Sequence, residues 1–199
     1  IFTIYDLKKI DPDLKKIDLL KFQSIKDLIK DELFILMLKK SLMKDVFLEK
    51  ILTKIRYEIL VNLFKKKGEF LNKNSKFIFA LSENCFFNEY IFITTNKEKN
   101  FLIKLKDLIK KSKEILELEI GILGSYIPIG SIESIKKKLE RFESKNSEFN
   151  SLYKVQIIEV EEEKKISYSI KSLARISNDI SDRVQKQYEE NPYPRWRYV

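Results

Sequence analysis

The sequence predicts an all-α or predominantly α chain folded as an irregular multi-helix bundle, and three observations carry that prediction. Apolar residues recur at three- and four-residue spacing at Leu48, Ile51, Leu52, Ile55, Ile59 and Leu63, the period of a helix with one face turned to a core. A second run, roughly Asn74 to Thr95, is apolar on nearly every side and reads as a central helix surrounded by others. A third period passes through Phe101, Leu102, Leu105, Leu108, Ile109 and Leu116, with Lys104, Lys106, Lys110 and Lys111 on the remaining faces. A short hairpin near 155–170 is the one non-helical element that the pattern admits.

Taken in order, the elements have recognisable starts and stops. Asp11-Pro12-Asp13 places a proline near a first turn and acids beside the positive end of a helix dipole. The helix from Asp45 is ended by Lys65-Lys66-Lys67-Gly68. Pro128 and Gly130 break the chain, after which Ser131 is placed to cap a helix toward Phe142. From Tyr153 to Ile170 the signal is mixed. Phe149, Leu152, Tyr153, Gln156 and Ile157 fit a helix, while Val155-Ile157 and Ile166-Tyr168-Ile170 alternate like strands. The reading favoured is a helix that gives way to an extended piece after about Gln156. A last helix over Asp179 to Glu190, with Asn178 as its cap, is stopped by Pro192 and Pro194. The chain thus divides into a helical lead-in (1–30), a helical domain (31–177) and a terminal helix with an extended strap (178–199).

Composition fits a folded module. With 199 residues, 44% hydrophobic and 12% aromatic, the chain is long enough to bury about 70% of its unfolded surface. No apolar run approaches the roughly 20 residues that span a bilayer, so no membrane partner is expected. A single cysteine, Cys85, excludes an intrachain disulfide and fits a reducing cytoplasm. The net charge of +9 invites a nucleic-acid reading. The lysines are spread over several helices and mixed with acids, however, which favours solvated faces over a binding stripe. Attachment of an acidic partner through Lys104 to Lys113 stays open.

Elimination removes most catalytic chemistry. The chain has no histidine, so neither Ser-His-Asp nor Cys-His nucleophile systems in their usual form, nor histidine metal sites, can be built. Glu159, Glu161, Glu162 and Glu163 lack the alternating ligands and turn glycine of a cation loop and read as a solvated charged turn. No catalytic residue and no metal site are expected. Cys85, Asn88, Glu89 and Tyr90 stand out within the central apolar run: Cys85 and Glu89 are one helical turn apart, as are Asn84 and Asn88. Buried polar side chains need partners, so this group is expected to tie neighbouring elements together, or to meet a substrate or another domain.

The terminal stretch Gln185-Lys186-Gln187-Tyr188-Glu189-Glu190-Asn191-Pro192-Tyr193-Pro194-Arg195-Trp196 is the most distinctive. Its prolines fix their own φ and push Asn191 and Tyr193 toward extended conformations. The result is a stiff strap displaying Tyr193, Arg195 and Trp196, the residue types that dominate docking surfaces.

These words resemble the segment that precedes the cofactor domain in bacterial class I S-adenosylmethionine-dependent methyltransferases carrying tetratricopeptide repeats. Leu81 to Phe92, with its Cys, aromatic pair and Asn-Glu-Tyr, is similar to that family's central helix. Ser125-Tyr126-Ile127-Pro128-Ile129 resembles its Tyr-aliphatic-Pro turn, and Gln156, Glu159 and Glu163 follow its Gln/Glu spacing. The likeness runs from roughly Asp31 to Trp196. It implies a non-catalytic helical region that supports and docks a C-terminal methyltransferase domain in cis. S-adenosylmethionine would be bound by the parent protein and not by this chain, whose four glycines form no Gly-rich cofactor turn. Residues 1–30 would close a repeat region, although no 34-residue period survives. Tyr188, Glu189, Asn191, Tyr193, Arg195 and Trp196 would dock the domains or fold over the cofactor pocket. The other reading is a stand-alone helical module that binds a protein partner.

Overall fold

The computed structural model describes residues 18–42 and 44–169, and every regular element among them is helical. A 3₁₀ turn, Leu19–Lys21, leads into α1 (Gln23–Leu28), α2 (Glu32–Lys40), α3 (Val46–Phe64), α4 (Gly68–Lys73), α5 (Ser75–Phe87), α6 (Asn96–Lys111) and α7 (Glu117–Gly124). After a second 3₁₀ turn, Ile129–Ser131, come α8 (Glu133–Leu139), α9 (Ser147–Tyr153), a π turn (Lys154–Ile158) and α10 (Glu159–Ser169). The chain divides into two compact units, 1–160 and 161–199. Of the second, only the last turns of α10 are described.

In the first unit α5 is the hub, because it has no polar face to offer solvent. Every residue from Phe77 to Phe86 is buried, and α2, α7 and α9 pack around it. Two small residues let α7 come close. A Cβ on Gly121 would lie 2.6 Å from the Phe79 ring, and one on Gly124 would lie 2.6 Å from Ser82 Oγ. The polar residues of α5 point at its neighbours and satisfy them. Asn84 Nδ2 donates to Leu38 O (3.0 Å) at the end of α2, and Glu83 accepts from Ser151 Oγ (2.8 Å) on α9. Leu19, Leu20, Ile25 and Leu28 belong to this same buried cluster.

Two helix starts carry an aspartate cap, and the one at Asp45 was expected. Asp45 caps α3 by accepting from Leu48 N at 2.8 Å, and Asp31 caps α2 by accepting from Phe34 N at 2.7 Å. Helix α3 stops at the expected lysines. Lys66 N donates to Leu63 O and Lys67 N to Asn62 O, with Lys66 left-handed at φ 55°, which is the Schellman arrangement.

Several expectations are corrected. Among the described residues no hairpin forms, and 155–169 is helical throughout. Strand alternation would send Gln156 to the opposite face from Val155 and Ile157, yet all three are buried, because the wide π turn directs three successive side chains inward. Ile166 and Tyr168 lie exposed on α10 (58% and 88%), and Glu159 to Glu163 open that helix instead of forming a turn. The central helix ends at Phe87 instead of reaching Thr95. Helix α6 spans Asn96–Lys111, so Leu116 falls outside it as the N-cap of α7, and Leu108 is half exposed. Ser131 does not cap α8: it sits within the second 3₁₀ turn and donates to Pro128 O. The Asp11-Pro12-Asp13 start, the Asp179 to Glu190 helix and the strap lie outside the described residues.

Candidate functional site

The site grows from one residue on α3. Arg56 occupies the buried stripe between Leu52 and Leu60, and only 1% of it is exposed. A buried guanidinium must find acceptors, and here they are three main-chain carbonyls and one threonine hydroxyl. Nη1 donates to Ser125 O at 3.2 Å. Nη2 donates to Phe92 O (3.2 Å), Ile93 O (3.0 Å) and Thr94 Oγ1 (3.3 Å). The guanidinium also lies 4.1 Å from the centre of the Tyr126 ring and 5.5 Å from that of Phe92, a geometry in which ring faces attract the cation. Its Nε alone lacks a hydrogen-bond partner.

The loop held in this way, residues 88–95, is fastened at three points. At its start α5 ends on a second Schellman arrangement: Glu89 N donates to Phe86 O and Tyr90 N to Cys85 O. Both Glu89 and Tyr90 are left-handed, each at φ 56°. The Tyr90 hydroxyl donates to Gly124 O at 3.3 Å. In the middle the Arg56 fork takes the carbonyls of Phe92 and Ile93. At its end Thr95 and Glu98 form a capping box on α6. The spare oxygen of Glu98 accepts from the Tyr126 hydroxyl at 2.8 Å, so the buried anion reaches the buried cation through that ring. Between these anchors the chain bends at Phe92, which is buried (5% exposed), while Ile91 and Ile93 are exposed (59% and 76%).

Burial sets the protonation of the surroundings. It pushes the Tyr126 hydroxyl well above its ordinary pKa, and the Glu98 carboxylate adds to the effect. The Cys85 thiol is pushed up to about 12 by burial, which outweighs the pull of the neighbouring Arg56 charge. Nucleophilic chemistry needs a thiolate, so Cys85 is a packing residue here.

Of the predicted polar group, Cys85 is buried whereas Asn88, Glu89 and Tyr90 are partly buried. Asn88 does meet Asn84, with Nδ2 3.5 Å from Oδ1. Glu89 does not stack on Cys85, because it lies beyond the helix in the left-handed turn. The predicted Gln156 does more than its sequence spacing suggested. Its Nε2 donates to Ser82 O (3.2 Å), Ser82 Oγ (3.2 Å) and Gly124 O (3.1 Å), while Oε1 accepts from Ile129 N (3.1 Å). Residues 81–92, the 125–129 turn and Gln156 therefore meet at one place. Glu163 is exposed on α10. Tyr188, Glu189, Asn191, Tyr193, Arg195 and Trp196 lie outside the described residues. Arg56 and the Thr95–Glu98 box were missed, though both leave a trace: a charge at a four-residue step inside an apolar stripe, and the T-x-x-E capping pattern.

Among the described residues no group of three metal-ligating side chains comes together, and no helix is long and apolar enough to cross a membrane. Fold and site together define an all-helical scaffold that holds one loop rigid and presents two isoleucines on it. No protein-family model, curated protein or solved structure matches the chain.

Proposed function

We propose that this chain is the non-catalytic helical region of a larger S-adenosylmethionine-dependent methyltransferase, and that its task is to dock and support the catalytic domain. The observation that carries the reading is the convergence just described. Two of the sequence blocks that resemble such proteins, 81–92 and 125–129, and Gln156 of the third are joined by hydrogen bonds across up to 74 residues, through Ser82, Gly124 and Ile129. A loop fixed at both ends and in the middle loses little freedom on binding, which favours docking through Ile91 and Ile93. The strap, with Tyr193, Arg195 and Trp196, would supply the second attachment. Transfer of a methyl group needs donor and acceptor held in line with water excluded, a positioning task to which a rigid docked region contributes.

Two measurements test the proposal. Calorimetric titration of the 199-residue chain with S-adenosylmethionine to millimolar concentration should give no saturable heat. In the full-length parent, Ile93→Ser and Trp196→Ala should each slow methyl transfer about tenfold, a loss of roughly 1.4 kcal/mol of transition-state stabilisation, with an unchanged urea midpoint. One-to-one cofactor binding by this chain, or a parent without methyl transfer, sinks the reading. The stand-alone interaction module is the alternative, and Ile93→Ser would then weaken a partner's binding with no enzyme involved.

A further inference from the structure

Away from the 88–95 loop, α8 lies against the end of α6, and one side chain fixes how they meet. Lys138 Nζ donates to Ile109 O (2.8 Å), Lys110 O (2.7 Å) and Ser112 O (2.8 Å). All three ammonium protons are thus spent on carbonyls at the negative end of the α6 dipole. With Lys138 so occupied, the neighbouring cations keep their charge for something else. They line an open groove of about 780 Å³ formed by Lys113, Glu114, Ile115, Lys137, Lys138, Arg141 and Phe142. Lys137 shares its charge with Glu133 at 3.4 Å in an exposed pair. Lys113 and Arg141 are exposed, and among the described residues neither has a carboxylate partner.

The apolar part of the groove is fixed by packing. Ile115 and Phe142 are partly buried and pack on the core, and Phe142 meets Phe149 edge to face at 5.9 Å. We propose that this groove binds a short acidic peptide segment of a protein partner, two carboxylates flanking one apolar side chain. Lys113 and Arg141 would take the carboxylates, and Ile115 with the rim of Phe142 would receive the apolar group. The surroundings argue for a short acidic peptide over a nucleic acid. Glu114 lies inside the groove and Glu133, Glu140 and Glu143 are exposed close by in sequence, so a continuous row of phosphates would meet repulsion. Phe142 is engaged with Phe149 instead of offering an open stacking platform. The inference does not rest on the methyltransferase reading.

The test uses the full chain and a fluorescein-labelled pentapeptide, Gly-Glu-Leu-Glu-Gly, read by anisotropy at low salt. Saturable binding is expected. The double reversal Lys113→Glu with Arg141→Glu should weaken it by roughly tenfold or more, since close charge pairs at interfaces are strongly coupled. The control reversal Lys65→Glu with Lys67→Glu changes net charge equally on exposed positions elsewhere, and should leave affinity within about twofold. Circular dichroism verifies that both variants stay folded. Absence of binding at millimolar peptide, equal weakening by the two reversals, or tighter binding of an oligothymidylate that depends on Lys113 and Arg141 would each overturn the proposal.

Discussion

At the end of α3 the chain turns through Lys66 at φ 55°, and at the end of α5 it turns through Glu89 at φ 56°, each cap closing the same pair of backbone hydrogen bonds. Beyond the caps the two paths diverge. After Lys66 the next residue returns to negative φ (Lys67, −83°) and α4 begins at once. After Glu89 a second residue, Tyr90, is also left-handed, and the chain leaves into a loop whose carbonyls are gripped by Arg56. One left-handed residue is an ordinary way to stop a helix. A second, on a bulky side chain, costs on the order of 1 kcal/mol or more and persists only where its surroundings over-determine it. The two caps therefore separate a local stop from a strained turn whose conformation is held by tertiary contacts.

The largest expected effect comes from removing the grip. Arg56→Met should destabilise the first unit by about 3 kcal/mol or more, because buried carbonyls of Ser125, Phe92 and Ile93 lose their donor. Urea denaturation measures the loss, and chymotryptic cleavage after Tyr90 or Phe92 should quicken. A variant within about 0.5 kcal/mol of wild type would mean that the loop holds itself. Tyr90→Gly comes next. It relieves the second left-handed residue but removes the hydroxyl bond to Gly124 O and the ring contact with Phe86 at 6.4 Å, for a net loss of about 1–2 kcal/mol. Lys66→Gly should do the opposite and stabilise by roughly 0.5–1 kcal/mol, since only the backbone conformation is at stake at this exposed cap. Equal gains from the two glycine substitutions would erase the distinction between the caps.

The smallest effect is electrostatic. Burial raises the carboxyl pKa of Glu119 above its ordinary value of 4.5, and raises that of Glu58 in the same direction. A raised native pKa means that the folded state takes up the proton more readily than the unfolded chain. The stability contributed is complete below the unfolded value and is lost as pH rises through the native one. From these two groups the urea midpoint should climb modestly as pH falls from neutrality toward the ordinary carboxyl value of 4.5. Glu119→Gln should flatten that slope and leave the Arg56 effect untouched, while an unchanged slope would remove Glu119 from the account.

The contrast between the two caps also explains what could be read in advance. Helix α3 was legible because Asp45, its apolar stripe and the Lys65 to Gly68 stop all point to the same boundaries. The end of α5 was not: Asn88 and Glu89 follow Phe87, but Tyr90, Ile91, Phe92 and Ile93 resume the apolar run with no glycine or proline to mark the turn. Its cause lies 31 residues earlier in the sequence, at Arg56, and acts only after folding. The π turn failed for a related reason. Val155 and Ile157 alternate with Gln156 as in a strand, and only the presence of Ser82, Gly124 and Ile129 on the inner side makes a glutamine belong there. Side-chain caps mark the starts of α2, α3, α6 and α9; non-local hydrogen bonds accompany these two departures from regular helix.

Cys85 carries a practical consequence. The chain's sole thiol is completely buried in α5, beside Arg56 of α3, and holds its proton to about 12. An alkylating reagent requires both access and thiolate, and fraying one neighbouring helix supplies neither. Alkylation of this chain should therefore count excursions in which the hub itself comes apart. That gives a native chemical clock for cooperative opening, distinct from protease cutting in the 88–95 loop, which registers the looser excursions as well.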